Sequence, residues 1–320
     1  MTEPKTSFQK ALAELSDGPP HISRRSLQEF SDISPASLEA LREAWPGIQP
    51  ERKRLLLDGL QSLSEEDTLV SFDDVARALL TDPDAQVRMR ALRLLDECHD
   101  LKLVPIFINM LTGDPEAGTR AEAAVALAKF VELGELEEIP EKSKRQVEDA
   151  LLAKANSEDA TLIRRNALEA LGYSSRPEVV TLIESAFRRE NPDWQASALF
   201  AMGRSFDERW EEYVLSRLLD ENSIVRLAAV EAAGELRLAS ARTILFHVLE
   251  DEEEDDITSA AIWSLSQVGG EDVRIYLENL IDLAEEGEDV EFLEEALDNL
   301  EFTDELSHFD LMAVDPDEEE

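Results

Sequence analysis

Apolar residues recur along most of this chain at steps of three and four. Between Ile163 and Gly172 they fall at Ile163, Ala167, Leu168, Ala170 and Leu171, one face of an α-helix. The pattern returns thirty-one residues later in Ala198-Leu199-Phe200-Ala201-Met202-Gly203. It returns thirty-one later again in Val225-Arg226-Leu227-Ala228-Ala229-Val230-Glu231-Ala232-Ala233-Gly234, and then in Ala261-Ile262-Trp263-Ser264-Leu265-Ser266. Upstream copies centre on Val87-Arg88 with Ala91, Leu92, Leu94 and Leu95, and on Thr119-Arg120 with Ala123, Ala124, Ala126 and Leu127. Weaker copies surround Arg54 and Ala296-Leu297. A fixed period of this length marks a repeat array, in which each unit buries its apolar face against its neighbours. About eight units are expected over residues 35–301.

Each unit reads as two helices. The first is amphipathic, over 101–111, 145–155, 179–187, 208–219, 239–249 and 271–283; the second carries the motif. Small alanines on the second helix let neighbours approach closely. The intervening turns are Asp82-Pro83-Asp84, Asp114-Pro115-Glu116, Asn191-Pro192-Asp193 and Asp220-Glu221-Asn222, whose Asp or Asn can cap the helix that follows. Asp82 and Arg88, Asp114 and Arg120, Glu158 and Arg164, and Asp220 and Arg226 all stand six apart. That spacing predicts a ladder in which each turn carboxylate meets the arginine of a neighbouring repeat.

The pattern resembles HEAT repeats. The short period with R-x-x-A-[LV]-x-A-[LA]-G is similar to the phycobilisome-lyase HEAT-like subclass. The resemblance covers about five-sixths of the chain, and it implies an all-α fold, a right-handed α-solenoid (superhelix) of about eight helical hairpins. Gln195, Thr258 and Leu293 replace the motif arginine, so the ladder is expected to break there and the C-terminal third to be looser.

Residues 1–34, with helices expected at 8–15 and near 24–31, read as an N-terminal cap, because a terminal repeat needs a polar outer face. Residues 132–144 lengthen one unit and read as an extended loop. Residues 302–320 lose the period and read as an acidic disordered tail, with Phe309, Leu311, Met312 and Val314 able to fold on a partner.

Charge narrows the function. The chain has 72 acidic and 31 basic residues, a formal net charge of -41. Residues 191–320 hold 37 of the acidic and 7 of the basic ones, with seven consecutive acids from Glu250 to Asp256. Nucleic acid is excluded as a partner, since phosphate binding needs a basic face. No run approaches a transmembrane length, and the N-terminal stretch has no apolar signal region, so a cytoplasmic protein is expected. One cysteine, Cys98, excludes an internal disulfide.

Catalytic patterns are absent from the sequence. His21, His99, His247 and His308 are scattered, and Cys98-His99 would point in different directions on a helix. There is no phosphate loop, nucleophile elbow or H-E-x-x-H. No metal, no cofactor and no catalytic residue are expected. Relatives of the resembled family include bilin lyases or isomerases and DNA-repair glycosylases; no residue here supports the first, and the charge opposes the second.

The resemblance implies that motif helices line a concave face, exposing positions one, two and five after the motif arginine. Arg90, Arg93 and Arg165 then make the N-terminal part locally basic, interrupted by Glu122 and Glu169. Phe200, Leu227, Ala228 and Trp263 make an apolar stretch farther on, bordered by Glu231 and Glu235. The expected role is a monomeric, non-catalytic scaffold or adaptor that buries a partner peptide or helix with basic residues in this groove. The alternatives are an acidic chaperone or mimic shielding a basic protein, and a bilin-lyase-like enzyme. Phe200 and Trp263 are also the size and shape to pack between repeats, which leaves their exposure open.

Overall fold

The computed structural model describes residues 6–284 and 287–313, and every regular element among them is helical. The chain forms two compact units, Met1–Ala170 and Leu171–Glu320.

The first unit contains α1 (Ser7–Asp17), α2 (Arg24–Gln28), α3 (Pro35–Ala44), α4 (Pro50–Glu66), α5 (Asp73–Leu79), α6 (Ala85–Arg93), α7 (Val104–Gly113), α8 (Ala117–Glu135), α9 (Glu141–Ala155) and α10 (Thr161–Ala170). The motif-bearing α4, α6, α8 and α10 pack side by side in sequence order, and α5, α7 and α9 lie against them. The periodicity explains the stacking: Leu56, Leu57, Leu60, Val87, Ala91, Leu92, Ala123, Ala124, Leu127, Ile163, Ala167 and Leu168 are all buried. Asp84 caps α6 by accepting from the Gln86 N–H. At the N-terminus α1 and α2 pack on α4, and Arg52 of α4 donates to the carbonyls of Glu14, Leu15 and Pro19, at and just beyond the end of α1.

The second unit contains α11 (Pro177–Phe187), α12 (Pro192–Arg204), α13 (Glu211–Leu215), α14 (Ser223–Glu235), α15 (Arg242–Asp251), α16 (Asp255–Val268), α17 (Glu271–Leu283) and α18 (Glu288–Ala313). Here α12, α14, α16 and α18 form the row of motif helices, each paired with the helix before it. Asn191 and Asn222 cap α12 and α14. The motif glycines set the spacing of this row. A Cβ on Gly203 would stand 3.1 Å from the Ala232 Cα, and one on Gly234 would stand 2.8 Å from the Ser264 Cα. The buried Ser264 hydroxyl donates across the same contact to the Val230 carbonyl at 2.8 Å.

Two boundaries differ from the sequence expectation. The extended loop expected at 132–144 is mostly helix. α8 continues to Glu135 because Phe130, Val131, Leu133 and Gly134 keep the apolar period and are buried, which leaves residues 136–140 as the link to α9. The turn closes through Glu137, at φ 59°, and the Glu138 N–H donates to the Leu133 carbonyl at 2.8 Å. The tail boundary expected at 302 is also passed. Leu293, Ala296, Leu300 and Thr303 form one buried stripe, and α18 runs to Ala313; residues 314–320 lie outside the described residues, as do the side chains of Phe309, Leu311 and Met312.

Candidate partner-binding groove

The arginine ladder exists with a grammar different from the one its spacing suggested. Arg88 forks onto Asp114 at 2.7 and 2.8 Å while its third nitrogen donates to the Asp82 carbonyl at 2.8 Å. Arg120 forks onto Asp159 at 2.8 and 3.0 Å and donates to the Asp114 carbonyl at 2.7 Å. Arg226 forks onto Glu252 at 2.6 and 3.2 Å and donates to the Asp220 carbonyl at 2.7 Å. Arg54 likewise grips Asp84 at 2.6 and 3.0 Å. The six-residue spacing therefore encodes capture of a main-chain carbonyl in the arginine's own turn, and the carboxylate comes from the next repeat.

Several expected partners are corrected accordingly. Asp82 and Asp220 do not serve as rungs through their carboxylates. Asp82 accepts from the Trp45 indole at 2.6 Å and lies 3.6 Å from Lys53, whereas Asp220 pairs with Arg217 at 2.9 Å. Glu158 is exposed, and Asp159 beside it takes the rung because Arg120 and Lys154 both reach it. Arg164 donates to the Ala155 carbonyl at 3.1 Å, nine residues back, its turn being one of a different length. These contacts hold the Asp84, Asp114, Asp159 and Glu252 carboxyls below their ordinary range, Asp159 most of all through Arg120.

The N-terminal groove residues are not a free basic surface. Arg90 bonds Asp58 at 2.6 Å and Arg93 bonds Glu122 at 3.0 Å. Arg165 is half-buried and has partners of its own. Of the acidic residues that interrupt the stretch in sequence, Glu122 pairs with Arg93 in space, and Asp58 from the preceding repeat takes Arg90.

In the second unit the motif helices form an open groove of about 500 Å³. Phe200 and Arg204 come from α12, Glu231 and Glu235 from α14, Asp256 and Trp263 from α16, and Phe292 from α18; Tyr173 also lines it. Phe200, Glu231 and Trp263 are thus brought together as expected from the repeat register, while half-buried Leu227 is not part of the lining. Trp263 is 37% exposed and lies 6.5 Å from Phe292, ring centre to ring centre. The Arg204 guanidinium covers Phe200 at 4.1 Å and faces Tyr173 at 5.2 Å. The Glu231 carboxyl is pushed above its ordinary value, first by partial loss of solvation in the groove and then by Glu235 one turn away.

The family model for HEAT repeats matches residues 73–141, 179–266 and 211–301, more than half of the chain. The chain belongs to the HEAT repeat family. Solved structures with a similar course include the Escherichia coli protein YibA, at 18% identity over 75% of this chain and 96% of that one, with a TM-score of 0.33. Human deoxyhypusine hydroxylase, solved with glycerol, is 16% identical over 82% of this chain and 96% of its own, with a TM-score of 0.35. An engineered protein is 15% identical over 92% and 88%, with a TM-score of 0.39. No curated protein matches the sequence significantly.

As a HEAT repeat protein the chain has a fold typically used for protein–protein interaction. Among the described residues no group of three or more His, Cys, Asp or Glu is placed to hold a metal ion, and no helix is long and apolar enough to cross a membrane. Cys98 is buried; its thiol donates to Asp73 at 2.8 Å, and burial followed by that contact pushes its pKa up, away from a reactive thiolate. Sequence reasoning missed Tyr173, Arg204 as a groove residue, Asp256 and Phe292. Asp256 was hidden inside the acidic run, which the fold divides: Glu252 joins the ladder, whereas Asp255 and Asp256 open α16 at its positive end. Phe292 lies one residue before the degenerate motif position Leu293, a register that the missing arginine obscured.

Proposed function

We propose that this HEAT repeat protein is a non-catalytic, cytoplasmic adaptor that buries a partner peptide or helix in the groove of its second unit. The observation that carries the reading is the exposed Trp263 set among Phe200, Phe292 and three carboxylates in one open groove. An aromatic anchor with a charged surround is the composition of an interaction hot spot. The acid of this unit gives a basic partner faster encounter and a preferred orientation.

The test is affinity capture from the native cell with the full chain and with F200A/W263A, followed by identification of what is bound. A partner retained by the parent and lost by the double variant supports the groove. A partner retained equally by both, and released by raised salt, supports instead a shield that acts through charge alone. A protein that purifies with a coloured small molecule favours the lyase-like alternative.

A further inference from the structure

We propose that the groove selects an arginine side chain of its partner, laid against Trp263 with its donors turned to the Glu231 and Glu235 carboxylates. The proposal rests on the adaptor reading and names the chemistry of the occupant.

Charge balance is the first support. The groove lining holds Glu231, Glu235 and Asp256 against a single guanidinium, Arg204. Arg204 already faces Phe200 and Tyr173. No ion pair engages any of the three carboxylates among the described residues, whereas Asp84, Asp114, Asp159 and Glu252 in the turns each face an arginine. Three carboxylates gathered in one groove, with Glu235 one turn from Glu231, are relieved by a cation that enters with the ligand.

Register is the second. Glu231 and Glu235 are four apart on α14, and Asp256 and Trp263 seven apart on the adjoining α16, so acid and indole occupy facing stripes of the same groove. Trp263 is the open indole among the four tryptophans: Trp45, Trp194 and Trp210 are 7%, 6% and 1% exposed.

The protein's own chemistry is the third. Its arginines bind carboxylates with two nitrogens at once, as Arg88 does on Asp114, and lie on aromatic rings, as Arg204 does on Phe200 and Arg189 does on Trp194 at 3.9 Å. A guanidinium satisfies both demands together because it is planar and forked. A lysine ammonium is a compact, strongly hydrated point charge with neither a flat face nor a fork.

The experiment selects peptides of about twelve residues from a random phage-displayed library on the full-length protein in about 0.15 M salt, where surface attraction is screened. Affinities of the selected peptides are then measured against the parent, F200A/W263A and E231Q/E235Q. The expected result is enrichment of one arginine position, a loss of about tenfold when that arginine becomes lysine, and a similar loss in E231Q/E235Q, which also erases the preference for arginine over lysine. Peptides that need Phe200 and Trp263, yet bind E231Q/E235Q unchanged or accept lysine equally, overturn the arginine assignment and leave the groove standing. A library that yields only peptides indifferent to F200A/W263A, or none, overturns both. Should E231Q/E235Q fail to fold by circular dichroism, E231Q alone decides between the same outcomes.

Discussion

The two units share one repeat pattern and are held together differently. The first has 21 basic and 32 acidic residues and uses its arginines within itself: Arg54, Arg88 and Arg120 tie successive turns, and Arg90 and Arg93 are bound to Asp58 and Glu122. The second has 10 basic and 40 acidic residues. Gln195 and Thr258 stand where rungs would begin, and contact between motif helices relies on the bare backbones of Gly203 and Gly234. The excess of acid is 11 in the first unit (32 − 21) and 30 in the second (40 − 10), where Glu231, Glu235 and Asp256 line the aromatic groove. The same repeat pattern thus carries internal arginine pairs along the first unit, and in the second an excess of acid on which the proposed recognition rests.

The strongest way to break this comparison is to remove a rung. Arg88→Ala is expected to destabilise the first unit by about 3 kcal/mol, because Asp114 is left buried without its partner and the Asp82 carbonyl loses a donor. Hydrogen exchange followed by mass spectrometry should show the loss concentrated around α5 to α8. An unprotected second unit with an intact first would contradict the assignment.

Close approach is the next test. Gly234→Ala is expected to cost the second unit about 2 kcal/mol, since the new methyl group meets the Ser264 backbone and overpacking outweighs the better helix propensity of alanine. Gly113→Ala in the first unit meets no atom within 4 Å and is expected to be neutral or to stabilise by up to about 1 kcal/mol. Denaturant titration of both variants measures the contrast.

Acid should separate the units more mildly. Asp84, Asp114 and Asp159 have carboxyls held below their ordinary values: burial is the largest single effect at Asp84 and Asp114 and opposes this, but hydrogen bonds from Arg54 and Arg88, backbone N–H groups and nearby positive charge together outweigh it, while at Asp159 the Arg120 hydrogen bond leads. Their stabilisation is complete above the unfolded value near about 4 and is lost as pH falls through the lowered folded values. Glu252 follows the same sign, but Glu231 follows the opposite one: its raised folded value means that protonation, on moving down toward mild acid, relieves the second unit. Exchange protection in the first unit should therefore fall more steeply below about pH 4 than that around α14.

The smallest effect sharpens the comparison at a feature common to both units. Glu137 and Arg237 sit at φ 59° and 50° just past α8 and α14, in the matching segments Gly134-Glu135-Leu136-Glu137 and Gly234-Glu235-Leu236-Arg237. Changing either to glycine should stabilise by about 0.5 kcal/mol, the release of left-handed strain slightly exceeding the added freedom of the unfolded chain. Equal shifts in thermal midpoint for the two variants would show that these turns do not share in the division between units.

Much of the fold was legible because stacking repeats must bury the same positions each time. Ala91, Ala123, Ala167, Ala198, Ala229 and Ala261 hold the same place in successive repeats, three residues after the motif arginine position, and are all buried. The rungs were legible as arginines but not as pairs. Six residues separate Asp82 from Arg88, and sequence spacing cannot tell whether a carbonyl or a carboxylate of the turn is the acceptor. The groove was half legible. Phe200 and Trp263 followed from register, yet Asp256 and Phe292 depended on where α16 and α18 begin, and acidic stretches give weak helix boundaries. The pairing of Arg90 and Arg93 was not legible because the carboxylates that bind them, Asp58 and Glu122, come from neighbouring repeats.

The two-handed arginine has a consequence for how such a chain changes length. Each rung joins one turn's carbonyl to the carboxylate of the turn after it, as in Arg88 between Asp82 and Asp114, then Arg120 between Asp114 and Asp159. A duplicated hairpin therefore arrives carrying a donor for its successor and an acceptor for its predecessor. Copying a repeat is a mutation that brings its own connector, so the array can grow by whole steps without any new interface having to be invented.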